Sequence, residues 1–239
     1  MGLLAETLFT GAVEMGIEIT EGQIKKFEKY YLMLIETNKR FNITSIVEEK
    51  EVAVKHFLDS LTCLKAASFE ENMSLADIGT GAGFPGIPLK ICQPALCVTL
   101  VESMEKRVTF LREVIQMLGL KKIEAVHARA EDLGRKKEYR ERYDRVVARA
   151  VADLRVLAEY CLPAVKKGGI FLAMKGPKVE SEITAAEKAI EILGGKIENL
   201  INLRLPFIGD ERNLVVIKKV RQTPEKYPRR AGMPQKKPI

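Results

Sequence analysis

From Leu75 onward the chain repeats one pattern, a short apolar run followed by an amphipathic stretch, and this alternation constrains the fold more than any other feature. LADIG (75–79), VTLVE (98–102), IEAVH (123–127), DRVVAR (144–149) and GIFLAMK (169–175) read as strands. Helices are predicted between and after them, near 86–93, 104–119, 153–165 and 177–193. Strands alternating with helices build a parallel sheet covered on both faces. KIENLINLRL (196–205) and RNLVVIKKV (212–220) then follow each other with no room for a crossover helix, so they are expected to pair antiparallel. The expectation is an α/β chain with a doubly wound, mostly parallel sheet and an antiparallel last strand pair.

The flanks read differently. Thr20 and Gln23 have capping-box spacing, and Ile24, Phe27, Tyr31, Leu34 and Ile35 recur at helical intervals up to about Asn38. A second helix is predicted over about 48–66, with RFNITS (40–45) as the loop between. The chain therefore divides into a helical annex (1–70), the sheet domain (71–220) and a tail (221–239). The formal net charge of +7 belongs almost wholly to the end: residues 218–239 carry eight basic side chains against Glu225, whereas the first 217 residues balance. A uniformly basic nucleic-acid coat is excluded. Four of the ten prolines fall in the tail, which has no apolar periodicity and is predicted to be polyproline-like or disordered. With Tyr227 among Arg and Pro, it has the composition of a segment that orders on a polyanion.

Cys63, Cys92, Cys97 and Cys161 show no CxxC spacing and there are only two histidines, so no metal site is expected and the compartment is expected to be reducing. The start MGLLAETLF lacks a basic leader, and the longest uncharged runs carry Gly and Pro, so no membrane segment is expected and the location is expected to be cytoplasmic.

The sharpest local feature is Asp77-Ile78-Gly79-Thr80-Gly81-Ala82-Gly83-Phe84-Pro85-Gly86, where the first strand meets the first crossover helix. Ligands bind beyond the carboxyl ends of such strands, and glycines there let backbone approach a ligand closely. A dinucleotide fingerprint starting at Gly79 would need a third glycine at Phe84, and the bulky ring opposes a tightly packed pyrophosphate. Asp77 also suits an ammonium or a hydroxyl better than a polyphosphate. Glu102 closes the second strand, where an acid accepts ribose hydroxyls, and Ala130, Glu131 and Asp132 follow the third, where an adenine edge would lie.

Asp-x-Gly-x-Gly-x-Gly after strand one, the acid after strand two and the antiparallel last pair resemble the class I S-adenosylmethionine-dependent methyltransferases, a Rossmann-like fold. LADIGTGAGFPGIPLKI, together with NKRFNITS, HFLDS (56–60), ARAVADL (148–154) and TPEKYPRRAGMPQKKPI, resembles more narrowly the glucose-inhibited division protein B family of bacterial small-subunit rRNA methyltransferases. That resemblance implies S-adenosyl-L-methionine as cofactor and methyl transfer to N7 of one guanine in the decoding-region hairpin of 16S rRNA. The partner would be naked rRNA, the 30S subunit or its assembly intermediate, with a monomer favoured. It also implies Gly79, Phe84, Ala130, Glu131 and Arg149 as cofactor contacts, beside Asp77, Gly81 and Glu102 from the turn and strand ends. The rivals are a non-catalytic RNA-binding or assembly factor with a retained pocket, and an NAD-dependent oxidoreductase.

Guanine N7 has a lone pair and no proton, so the chemistry needs alignment rather than a general base. Cys161 lies in an apolar helical stretch and reads as a core thiol, so no covalent nucleophile is expected. Arg149 and Lys175 end strands four and five and are candidates to orient substrate. His56, Asp59 and Ser60 share one helical face, too close together for a hydrolase triad, and are expected to brace the RFNITS loop. His127 is expected near the core. The run Arg135, Lys136, Lys137, Arg140, Arg142 and Arg145, interleaved with Glu138 and Glu141, is expected to be a solvated surface.

Overall fold

The computed structural model describes residues 2–149, 152–177 and 179–239. Thr20 begins the annex helix α2 (Glu21–Asn38) with a complete capping box: its Oγ1 accepts the Gln23 N–H at 3.3 Å while Gln23 Oε1 accepts the Thr20 N–H at 2.7 Å. Gln23 Nε2 also donates to the carbonyls of Ile91 and Cys92, so the cap that starts α2 fastens the annex to the sheet domain. A preceding helix, α1 (Leu3–Glu14), packs on the same side.

The predicted helix over 48–66 is instead a broken rod. It runs as α3 (Glu49–Val52), a π-helical segment (Ala53–Leu58), α4 (Asp59–Leu61) and α5 (Cys63–Ala66). Wider π winding turns side chains away from the positions of a regular helix, and such segments recur at functional sites. Here it carries His56 and leads directly into Asp59.

The strands are β1 (Ser74–Ile78), β2 (Cys97–Glu102), β3 (Ile123–His127), β4 (Tyr143–Arg149), β5 (Val165–Lys175), β6 (Gly195–Arg204) and β7 (Glu211–Lys219). They form one sheet in the order β3-β2-β1-β4-β5-β7-β6, parallel except that β7 runs antiparallel to both β5 and β6. The doubly wound expectation holds. Side chains alternate across the sheet: Leu75, Leu100, Val147, Leu172 and Val216 face α1, α2, α6 (Gly86–Cys92) and α7 (Glu105–Met117). Ala76, Val101, Val146, Phe171 and Val215 face α9 (Leu154–Cys161) and α10 (Val179–Ile192). The chain leaves β1 towards β2 and later returns to pair β4 on the other side, so a crevice opens beyond the carboxyl ends of β1 and β4. Among the described residues no helix is long and apolar enough to cross a membrane.

The tail is not disordered. Tyr227 and Pro228 are buried, Thr223 is bonded through its hydroxyl to Leu193 O, and a short helix α11 (Met233–Lys236) closes the chain. The basic run is solvated at Arg135, Lys136, Lys137 and Arg142, as expected, but not along its whole length. The Arg140 guanidinium donates to the carbonyls of Gly134, Thr223, Pro224 and Tyr227, Arg135 donates to Pro228 O, and Arg145 is buried against Ser68. These cations satisfy carbonyls of irregular backbone, a role that composition does not reveal. Lys219, fully buried, bonds Leu162 O and Thr223 Oγ1; burial pulls its ammonium down to about 8 against the opposing pull of Glu141.

Candidate active site

Two recesses meet at the crevice. The first, about 310 Å³, is walled by Ile78, Gly79, Val101, Ser103, Ala130 and Glu131 and edged by Tyr160, Gly232 and Gln235. The second, about 350 Å³, shares Gly79 and Ser103 with it and extends past Thr44, His56, Phe84, Glu102 and Arg107 to Arg149. A third, about 390 Å³, continues from His56 and Arg149 to Lys55, Asp59, Lys175 and Arg212. Together they form one groove whose inner end mixes Ile78, Val101 and Ala130 with Arg129 and Glu131 and whose outer end carries Lys55, Lys175 and Arg212.

The glycine turn forms its floor. Gly79 (φ 70°), Gly81 (φ 60°) and Gly83 (φ 106°) adopt backbone that side-chain-bearing residues avoid. Asp77 lies one layer behind, fully buried, and holds the turn: its Oδ2 accepts from Thr80 Oγ1 at 2.6 Å and from Gly86 N–H at 2.7 Å. Burial raises its carboxyl to about 6, although both hydrogen bonds oppose the rise. Asp77 does not line the groove. Its Oδ1 is buried without a hydrogen-bond partner among the described residues.

Glu102 does line it. Its Oε2 accepts the Gly81 N–H at 3.0 Å and its Oε1 the Met104 N–H at 2.9 Å, so the strand-end acid clamps the turn while facing the space where two hydroxyls could reach it. Ala130 and Glu131 begin the short helix α8 (Ala130–Leu133) on the opposite wall. The set suits an adenosine-type ligand: a slot of apolar walls with polar groups at its edge, a carboxylate at the end of β2 and a glycine floor.

Phe84 stacks on His56 with ring centroids 4.4 Å apart and on Tyr30 at 5.4 Å, while the Arg149 guanidinium lies 5.1 Å from its centroid. Arg149 Nη1 donates to Asp59 Oδ2 at 2.7 Å and to Lys55 O at 3.1 Å, and its Nη2 lies 3.3 Å from His56 Nδ1. Arginine can only donate, so Nδ1 accepts and the imidazole proton sits on Nε2, where it meets Thr44 Oγ1 at 2.8 Å. Of the expected trio only His56 braces the RFNITS loop: Asp59 holds Arg149 and Arg212, and Ser60 Oγ donates to the His56 carbonyl at 2.5 Å. Thr44 Oγ1 also accepts the Ile46 N–H at 3.1 Å.

Burial, reinforced by Arg149, lowers His56 to about 3, so it is neutral at physiological pH. Unfolding restores the ordinary value near 6.5, so between those values the unfolded chain binds the extra proton and stability is lost as pH falls through that window. His56→Gln is therefore expected to lose about 1–2 kcal/mol less stability than the parent between pH 7 and pH 5, read from urea midpoints at both pH values.

Lys175 is partly occupied, with Nζ 2.7 Å from Ala152 O and 2.6 Å from Glu182 Oε2. Arg212, which strand patterning did not single out, donates through Nε to the second Asp59 oxygen at 2.9 Å. Cys161 is buried in the core and does not line the groove; burial holds its thiol well above the usual range. His127 is exposed rather than near the core, with Nδ1 2.7 Å from Glu105 and Nε2 2.9 Å from Ser103 O.

Comparison with known proteins agrees with this geometry. The chain resembles the solved structures of TrmN from Thermus thermophilus (TM-score 0.54, 20% identity, 68% of this chain and 48% of that one) and of P. horikoshii TYW2 in complex with MeSAdo (TM-score 0.53, 16% identity, 68% and 61%), likenesses that concern the fold alone. In sequence it is 64% identical over the full length of both chains to the ribosomal RNA small subunit methyltransferase G of Pelotomaculum thermopropionicum. It is 48% identical to the protein of that name from Bacillus subtilis, over 98% of each chain. The family profile described as rRNA small subunit methyltransferase G matches residues 23–215, which spans the annex helix α2, the glycine turn and the sheet as far as β7. With turn, groove and full-length relatives in agreement, the chain belongs to the rRNA small subunit methyltransferase G family.

Proposed function

We propose that this chain transfers a methyl group from S-adenosylmethionine to N7 of one guanine in the decoding-region hairpin of 16S rRNA. The observation that carries the reading is the continuity of the groove, from the slot at Ala130 and Glu131, over Gly79, to the recess lined by Arg149, Lys175 and Arg212. Gly79, Gly81, Ala130 and Glu102 would hold the adenosine portion, with Glu102 accepting ribose hydroxyls. Phe84 and Arg149 would border the methionine end, and Asp77 acts through the turn it supports. The bound cofactor supplies an electrophilic methyl group, and guanine N7 supplies a lone pair that carries no proton.

The residues of the chain therefore manage alignment and charge. His56, neutral and held by its stack on the buried Phe84, would border the reacting base without itself adding a cation next to a purine that becomes positive. Asp59 offsets the charge of Arg149 at the same place. Lys55, Lys175 and Arg212 lie further out, where phosphates of an extruded nucleotide would pass. No basic or nucleophilic side chain is assigned a covalent step. The protein would act in the cytoplasm, as a monomer, on rRNA, the 30S subunit or an assembly intermediate.

Titration with S-adenosylmethionine and with NAD separates this reading from an oxidoreductase: only the first is expected to bind. Tritiated methyl transfer to undermethylated 30S subunits and to naked 16S rRNA is expected to label at least one of them. Label in neither would favour a non-catalytic assembly factor.

A further inference from the structure

The tail ends at the wall of the groove, not in solvent. Glu159, almost completely buried on α9, receives Arg229 through its backbone N–H at 2.7 Å, Nε at 2.9 Å and Nη2 at 2.6 Å. Three residues later the Gly232 N–H donates to Glu131 Oε1 at 2.8 Å. Gly232 and Gln235 then edge the inner recess opposite Ile78, Gly79 and Val101. A strap serving stability alone needs nothing beyond Glu159 on α9, which does not line the groove; the second anchor, Glu131, lies on α8. This strap is anchored on a carboxylate of the groove wall, and it leaves Gln235 solvent-exposed at the cavity.

We propose that the C-terminal segment completes the adenine subsite and that Gln235 reads the adenine edge, an inference that rests on S-adenosylmethionine being the occupant of the groove. The chemistry fits. Adenine offers an amino donor beside a ring-nitrogen acceptor, and a carboxamide presents the matching acceptor and donor, the pairing by which Gln recognises adenine elsewhere. The buried Arg229–Glu159 pair fixes the segment so that Gln235 is presented with little ordering left to do on binding. Because Glu131 belongs to both the groove wall and the tail anchor, ligand and tail stabilise each other, and that coupling is reciprocal.

The test is calorimetric titration of the full chain with S-adenosylhomocysteine and with its purine analogue, in which the adenine amino group is replaced by hydrogen and the carboxamide oxygen loses its donor. The parent is expected to prefer the adenine compound. Gln235→Ala, at an exposed position, should bind S-adenosylhomocysteine about tenfold more weakly. It should bind the purine analogue with a much smaller loss, so the preference collapses, while Lys236→Ala leaves both affinities alone. As a second readout, S-adenosylhomocysteine should slow tryptic cleavage after the exposed Arg230 several-fold in the parent. Equal affinities for parent and Gln235→Ala would overturn the inference and leave the cofactor reading standing. Failure of the parent to bind S-adenosylhomocysteine would overturn both.

Discussion

Asp59→Asn is expected to lower the unfolding free energy by about 3 kcal/mol and methyl transfer by roughly 100-fold. Asp59 is 4% exposed, and each of its oxygens holds a different guanidinium, Arg149 at 2.7 Å and Arg212 at 2.9 Å. An amide in its place leaves two cations facing a neutral group whose NH2 can only repel one of them. Breaking such a buried arrangement costs about 3–5 kcal/mol, and the lower figure suits these partly exposed arginines. The melting temperature of a chain this long should fall by about 6–12 °C. The activity loss follows from geometry: without Asp59, Arg149 is no longer held against Phe84 and His56. Arg149→Met should lose as much activity with a smaller loss of stability. In the double variant the two stability losses should fall short of their sum by about 1–3 kcal/mol. An Asp59→Asn protein that melts and turns over like the parent would remove Asp59 from its place as the link between β4, β7 and the π segment.

Gly83→Ala is expected to be the most destabilising single change in the glycine turn, at about 3–4 kcal/mol. At φ 106° a side chain is already strained, and a Cβ there would lie 2.5 Å from both Tyr30 Oη and Ile87 Cδ1. Backbone strain contributes about 1–2 kcal/mol and overpacking about 1–3 kcal/mol. Tyr30 cannot yield cheaply, because it is fully buried, donates to Ala82 O at 2.5 Å and stacks between Phe57 and Phe84. Gly81 makes the contrasting case: a Cβ there meets nothing within 4 Å. Gly81→Ala should therefore cost only about 1 kcal/mol in stability, for its positive φ. It should nevertheless weaken S-adenosylhomocysteine binding about tenfold, because the new methyl group enters the space above the groove floor. Thermal melts and titrations of the two variants separate a packing glycine from a binding one; identical behaviour would contradict the distinction.

Much of this site is legible in the sequence because it sits at strand ends. Once the alternation fixes where β1, β2, β3 and β4 stop, Gly79, Glu102, Ala130, Glu131 and Arg149 fall at the crevice by topology alone. The Thr20 cap is equally local, since its donors and acceptors lie three residues apart. What sequence reading misses is set by distance along the chain or by unusual backbone. Asp59 and Arg212 are 153 residues apart. Their meeting could have been anticipated only by pairing the start of β7 with the end of β5, where Lys175 faces Asn213. The π segment has no compositional mark. The tail misled because Pro and Arg are counted as disordering, whereas here Arg229 is used in a buried ion pair and Arg140 caps the tail's carbonyls from outside it. Charge partition located the cations correctly and assigned them a solvent role that part of the tail does not have.

The direct test of the central claim is mass mapping of modified nucleosides in 16S rRNA incubated with the purified chain and S-adenosylmethionine, using rRNA from cells that lack this methyltransferase. The account predicts a single new 7-methylguanosine, confined to the decoding-region hairpin and lost in Arg149→Met. Methylation at another atom or scattered over many guanines would contradict it, as would rRNA left unchanged by a chain that binds the cofactor.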